Sequence, residues 1–221
     1  MIDYGVIHDS LAYYEARGYK RVELPWLVTD EISQITRPHF ADTYWVTRDH
    51  NNSRKVFVAS AEQAFLYQII KGTLPVSGKF QSVTPCMRSE GQDLLHRKYF
   101  IKNELIWYGS TKDFNAHKAA WEKNLQTMIR DANMFFRLKV ADVKLLNTRR
   151  MDVETHAYNY DIEYAGIELG SYGIRTFENV TWIYGTGVAE PRFSTVKERT
   201  DDGVSYTQDS EGPLWGSEQD S

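Results

Sequence analysis

A chain of 221 residues suffices for one main domain with a sizeable core, and its 42% hydrophobic and 25% charged residues suggest neither disorder nor a membrane protein. The net charge of -4 argues against a broadly basic nucleic-acid-binding surface, and a single cysteine, Cys86, excludes an internal disulfide and a multi-cysteine zinc site. There is no apolar run of about 18 residues, and Met1-Ile2-Asp3-Tyr4 lacks the basic and apolar regions of a signal peptide, so the expected address is cytoplasmic.

In chain order, Ile7, Leu11, Tyr13 and Tyr14 stand at helical spacing and are stopped by Arg17-Gly18, after which Val22, Leu24 and Leu27 around Pro25 read as a strand. The polar cluster at 48–54 leads into the apolar run Val56 to Ala59, a hairpin-like connection into a strand, and a short helix is expected from Ala61 to Lys71. Lys79 to Arg88 and Arg97 to Tyr108 read as two antiparallel strands joined by the polar stretch Ser89-Glu90-Gly91-Gln92-Asp93. From about Asp113 to Leu138, Phe114, Trp121, Leu125, Met128, Ile129 and Phe135 recur at three- and four-residue steps and mark the longest amphipathic helix.

Tyr158 to Tyr164, Ile167 to Leu169 and Val180 to Tyr184 are further strand-like runs punctuated by glycine. The last twenty or so residues are acidic and poor in apolar types, which predicts a domain over 1–195 followed by a mobile tail over 196–221. Consecutive strands interleaved with helices define the fold class as α+β, an antiparallel β-sheet flanked by helices, unlike a doubly wound parallel fold.

Three clusters carry the types that nucleotide chemistry needs. Arg88-Ser89-Glu90 sits where a strand meets a loop, followed by His96 and Phe100; arginine holds phosphate, and an aromatic or cationic side chain covers a purine face. Taken alone, an Arg-x-Glu on a hairpin is more often a surface ion pair. Asp161, Glu163 and Glu168 place carboxylates on adjacent strands, as a magnesium-nucleotide complex requires, although a solvated strand face with a glycine-rich turn reads the same way. In Gly185-Thr186-Gly187 to Arg192 the two glycines let backbone approach a ligand and the arginine can meet a phosphate, without satisfying the Rossmann or P-loop pattern. Cys86, beside Pro85 on an expected core strand, reads as a packing residue.

In this order and approximate spacing, over roughly residues 5 to 195, the clusters resemble the three signature motifs of class II aminoacyl-tRNA synthetases. Gly18-Tyr19 with Val22 and Pro25 resembles motif 1, which implies a homodimer interface. Arg88-x-Glu90 through His96 and Phe100 resembles motif 2; the resemblance implies that Arg88 contacts the α-phosphate and the reacting carboxylate, Glu90 the adenine amino group, His96 the phosphate tail and Phe100 the adenine face. Gly185-x-Gly187 to Arg192 is similar to motif 3, which implies that Arg192 stacks on adenine and binds the γ-phosphate.

Tyr160 to Arg175 is similar to the corresponding stretch of aspartyl-type synthetases, and Glu168-Leu169-x-Ser171-x-Gly173-Ile174-Arg175 also resembles ammonia-dependent asparagine synthetase. That implies an ATP-magnesium site at Glu168, with Ser171 and Asp161 beside it, and Arg175 as reader of a side-chain carboxylate. Ser60-Ala61-Glu62 resembles the amino-acid-recognition loop of seryl-type enzymes, which implies that Ser60 and Glu62 bind the amino acid.

The implied activity is activation of an amino-acid carboxylate by ATP and magnesium as an acyl-adenylate, with Arg88, Glu168 and Arg192 at the reacting phosphates. The chain leaves no room for an anticodon-binding domain and shows no basic extension for tRNA, and the polar stretch Phe193 to Thr200 is short beside the family's apolar motif 3 helix. The acceptor is therefore open among tRNA, ammonia, an amine, a carrier and a modified nucleotide. Two alternatives stand: an amide ligase like ammonia-dependent asparagine synthetase, and a catalytically silent regulatory or RNA-binding paralog.

Overall fold

The computed structural model describes residues 1–37, 46, 48, 52–89, 95, 97–140, 145–151 and 158–201. The first element is α1 (Tyr4–Glu15). Asp3 caps it, its carboxylate accepting the N–H groups of Gly5 and Val6 at 2.8 and 3.2 Å, which satisfies donors that a first helical turn leaves open. Gly18 takes a left-handed φ of 83° just after the helix, so the chain can turn away into β1 (Lys20–Arg21).

The short α2 (Asp30–Gln34) lies between β2 (Leu27–Thr29) and β3 (Lys55–Phe57), which pair antiparallel. Val46 N–H donates to Lys55 O at 3.0 Å, so the residues on either side of the polar 48–54 stretch lie side by side. Ser60 then starts α3 (Ala61–Ile70), its hydroxyl accepting Glu62 N–H at 3.3 Å.

The anticipated antiparallel pair is β4 (Gly78–Met87) with β5 (Tyr99–Ser110), in continuous register from Gly78 opposite Tyr108 to Met87 opposite Tyr99. The single helix expected from Asp113 to Leu138 is instead α4 (Thr111–Ala116) and α5 (Lys118–Lys139), broken at His117. Asp113 accounts for the break: one carboxylate oxygen accepts Trp121 Nε1–H at 3.0 Å and the other lies 3.0 Å from His117 Nδ1, a side-chain alternative to a continuous helix.

Four strands complete the chain's sheet: β6 (Leu145–Met151), which periodicity did not reveal, β7 (Tyr158–Tyr164), β8 (Ile167–Phe177) and β9 (Val180–Glu190). Ala165 and Gly166 both have positive φ, 51° and 77°, as the two-residue turn between β7 and β8 requires. The seven strands run in the order β1-β4-β5-β9-β8-β7-β6, and among the described residues the β1–β4 pair is the parallel one. The expected α+β architecture, an antiparallel sheet flanked by helices, is what the chain adopts.

Side chains alternate between the two faces of this sheet. On the back, α1 and α5 bury Tyr14, Leu125, Met128, Phe135 and Phe136 against Leu105, Ile162, Tyr172, Ile183 and Val188. On the front, α3 and the β2–β3 pair bury Val56, Ala64 and Phe65 with Phe80, Ile106, Trp182 and Tyr184, covering one end of that face. The last element is α6 (Arg192–Asp201), whose Phe193 and Val196 join the back core. The boundary expected at residue 195 thus falls inside a helix, because two apolar residues three apart suffice to seat it; residues 202–221 of the expected tail lie outside the described residues.

Candidate active site

Register builds the front of the sheet as a grid. Phe100, Lys102 and Glu104 follow one another along β5; Lys102 stands between Thr84 and Ala189, and Glu104 between Ser82 and Thr186. Ser171 on β8 lies beside Thr186, its N–H donating to Thr186 Oγ1 at 3.4 Å, and Asp161 on β7 stands opposite Ser171. At Leu169 the pairing jumps from Ile162–Gly170 to Glu163–Glu168. This bulge turns Glu168 onto the same face as Ser171 and Asp161.

Where α3 leaves the front uncovered, a cleft opens, lined by Arg88, Leu95, Arg97, Phe100, Lys102, Glu168, Leu169, Thr186, Ala189, Pro191 and Arg192. Arg88, just past the end of β4, is fixed from two sides: its Nε–H donates to Ala59 O at 3.1 Å, and its guanidinium stands 5.1 Å from the Phe100 ring centre. Arg192 opens α6 and approaches Glu168, Nη1 to Oε1, at 3.6 Å. Four cationic side chains face one carboxylate on this wall, a field suited to a polyphosphate.

Arg192 owes its position to Glu190. That buried carboxylate accepts Ser194 N–H at 3.1 Å and Ser194 Oγ–H at 2.9 Å, closing the first turn of α6, while its other oxygen accepts Asp3 N–H at 3.1 Å.

Of the residues expected to hold the nucleotide, Arg88, Phe100, Glu168 and Arg192 converge on this cleft, and Ser171 stands next to Thr186, which lines it. Glu90 and His96 lie outside the described residues. Glu168 and Asp161, the expected metal ligands, share a face, and Glu168 is partly exposed to the cleft. Among the described residues no three acidic, histidine or cysteine side chains gather as a cage. Magnesium held by one or two carboxylates and by phosphates needs no such cage, so this donor set fits it.

The expected amino-acid residues lie deeper along the front. Ser60 Oγ–H donates to Glu104 Oε2 at 2.7 Å. Glu62 and Arg175, both expected to meet the substrate, meet each other at 2.6 Å, and the second Glu62 oxygen accepts Trp182 Nε1–H, also at 2.6 Å. The Arg175 guanidinium lies 4.2 Å from the Tyr184 ring centre.

Sequence reasoning missed Lys102 and Glu104. Glu104 is 1% exposed; Lys102 Nζ lies 3.0 Å from its Oε2, and its Oε1 accepts no hydrogen bond among the described residues. The signal was alternation: Phe100, Lys102 and Glu104 occupy one face of a strand whose other residues are largely apolar.

The glycines of Gly185-Thr186-Gly187 are also required by packing. A Cβ on Gly185 would come within 2.5 Å of Tyr172 and 2.6 Å of Met128, and one on Gly187 within 2.9 Å of Tyr14. Their smallness admits α5 and α1 to the back of the sheet. Cys86 is fully buried opposite Phe100, and burial pushes its thiol up to about 12, as suits a packing residue.

A seven-stranded, mostly antiparallel sheet with helices on both faces and this cleft on its front is the catalytic-core fold of class II aminoacyl-tRNA synthetases. Among solved structures, the chain is similar to a pyrrolysyl-tRNA synthetase of Desulfitobacterium hafniense, with a TM-score of 0.62 and 15% identity over 95% of this chain and 72% of that one. It is also similar to a cytoplasmic serine-tRNA ligase of Naegleria fowleri in complex with AMP (TM-score 0.68, 18% identity, 87% of this chain and 47% of that one). A third similar structure is a seryl-tRNA synthetase of Pyrococcus horikoshii complexed with ATP (TM-score 0.69, 16% identity, 88% and 49%). The chain spans about half the length of the two seryl enzymes. No family model and no curated protein matches the sequence.

Proposed function

We propose that the chain binds ATP in this cleft and activates an amino-acid carboxylate as an acyl-adenylate. The observation that carries the proposal is the convergence of Arg88, Phe100, Glu168 and Arg192, distant in sequence, on one positively charged cleft. Two of the similar structures are described with AMP or ATP bound, which supports the same reading.

In the reaction, a carboxylate oxygen of the amino acid attacks the α-phosphorus of ATP in line, the bond to the bridging oxygen breaks, and pyrophosphate leaves with the electron pair. Arg88, preorganised by Ala59 and Phe100, faces the charge that grows on the α-phosphate oxygens. Phe100 offers its ring to the adenine, and Arg192 meets the departing phosphates. Glu104 Oε1, buried without a hydrogen-bond partner among the described residues, would accept the substrate ammonium and so aim the carboxylate toward Arg88. Glu168, with Asp161 on the same face, would hold magnesium together with the phosphates, and the ion would supply charge neutralisation at the leaving group.

No protein nucleophile takes part. The activated acyl group then passes to tRNA, ammonia, an amine or a carrier, and the active unit is a homodimer. A cytoplasmic location belongs to the same proposal; no helix among the described residues is long and apolar enough to cross a membrane.

ATP-pyrophosphate exchange with each of the twenty amino acids tests this. Exchange with one amino acid or a small set is expected, falling roughly a hundredfold in Arg88→Ala, the equivalent of about 3 kcal/mol of transition-state stabilisation. Silence with all twenty overturns the proposal for standard amino acids. Ammonia-dependent AMP formation with aspartate would select the amide-ligase alternative.

A further inference from the structure

Glu190 lies behind the sheet, whereas the cleft lies in front of it. Its neighbour on β9, Ala189, lines the cleft, so alternation along the strand sends the Glu190 side chain to the back, where it is fully buried at the pair with Ile101. It cannot touch a molecule in the cleft. Its hydrogen bonds run instead to the starts of two helices: Oε2 accepts Asp3 N–H at 3.1 Å, and Oε1 accepts Ser194 N–H at 3.1 Å and Ser194 Oγ–H at 2.9 Å. Asp3 in turn caps α1, so the N-termini of α1 and α6 meet at one carboxylate, where the helix dipoles favour its charge.

Arg192 links this carboxylate to the cleft. Phe193 and Val196 seat α6 against the back core, but Arg192 is the first residue of the helix, in a turn whose N–H groups have no partner within the helix itself. Glu190 supplies the partner for Ser194 N–H and closes that turn. From the front, Glu168 Oε1 approaches Arg192 Nη1 at 3.6 Å, a looser tie. Building on the nucleotide reading of the cleft, we infer that Glu190 sets how tightly the site grips a polyphosphate, by holding Arg192 in place from the opposite face of the sheet. It is a positioning residue, and Asp3 and Ser194, neither of which lines the cleft, serve the site through it. Because Arg192 meets the outer phosphates in this reading, the effect falls on ATP and spares AMP.

The test measures ATP and AMP binding by titration calorimetry on the native protein, Glu190→Gln, Ser194→Ala, Arg192→Ala and the double variant of Glu190→Gln with Arg192→Ala. Glutamine keeps the size of the side chain but turns an NH₂ donor toward either Asp3 N–H or Ser194 N–H, both of which are donors themselves. Ser194→Ala removes only the hydroxyl that donates to Glu190 Oε1. Pyrophosphate exchange is measured separately, and urea midpoints report whether each variant is folded.

Glu190→Gln is expected to weaken ATP binding by about tenfold or more and AMP binding by less than about twofold, with Ser194→Ala following the same pattern at about threefold. In the Arg192→Ala background, Glu190→Gln should add nothing, because the residue through which it acts is gone. Unchanged ATP affinity in a folded Glu190→Gln, equal losses for ATP and AMP, or additive losses in the double variant overturns the inference. Should Glu190→Gln fail to fold, Ser194→Ala decides on the same terms. A native protein that binds ATP but catalyses no exchange would sink the adenylation reading alone, whereas one that binds no ATP would sink both.

Discussion

Glu190 carries a cost that its hydrogen bonds only partly offset. Burial pushes its carboxyl above the ordinary carboxylate range, although Asp3 and Ser194 donate to it. A group whose folded-state pKa is raised contributes stability that is fully present below its unfolded pKa and is lost as pH rises through the folded value. Melting curves of Glu190→Gln and the native protein between about pH 4 and pH 7 should therefore diverge, the glutamine variant gaining relative to native as pH rises; parallel curves would refute this. Asp131, raised by its own burial beside Lys79 and Arg17, adds to the native pH slope with the same sign. At this scale the sequence showed Arg88, Phe100 and Arg192, because their types and spacing carry a pattern. It did not show Glu104, since a glutamate on a strand reads alike whether it is buried or solvated.

The strands are sharply tuned to their helices. Gly185 on β9 lies beneath Tyr172 and Met128 with no room for a methyl group. Gly185→Ala should destabilise the protein by about 1–3 kcal/mol through overpacking, read as a lower urea midpoint, while the cleft on the opposite face keeps its nucleotide affinity in the folded protein. An unchanged midpoint would mean that α5 shifts freely. β4, β5, α1 and α3 were legible because each carries apolar residues that join one of the two cores. The bulges at Leu169 and Gly187 and the break at His117 were not, because each arises where a partner strand or a distant side chain overrides local preference.

For the molecule as a whole, the segment that resembles motif 1 leaves Trp26 55% exposed, and Ile70 and Val76 on the flanks of α3 are also exposed. Large apolar side chains in the open suit an interface. The protein should therefore run as a dimer by light scattering at micromolar concentration, and Trp26→Glu should shift it to monomer with helicity retained. A native monomer would remove the dimer from the proposal.

Composition, periodicity and motif spacing by themselves determined the α+β class, most of the element order, and the residue types that gather at the nucleotide cleft, since these follow from local alternation and chemistry along the chain. Only the tertiary structure decided that Glu62 and Arg175 face each other across 113 positions of sequence, that Glu104 lies buried with one oxygen lacking a hydrogen-bond partner among the described residues, and that the paired glycines are required by packing on the back of the sheet. Those outcomes depend on which strands become neighbours, and strand order is fixed by burial of the whole sheet between two helical layers, which no single segment encodes.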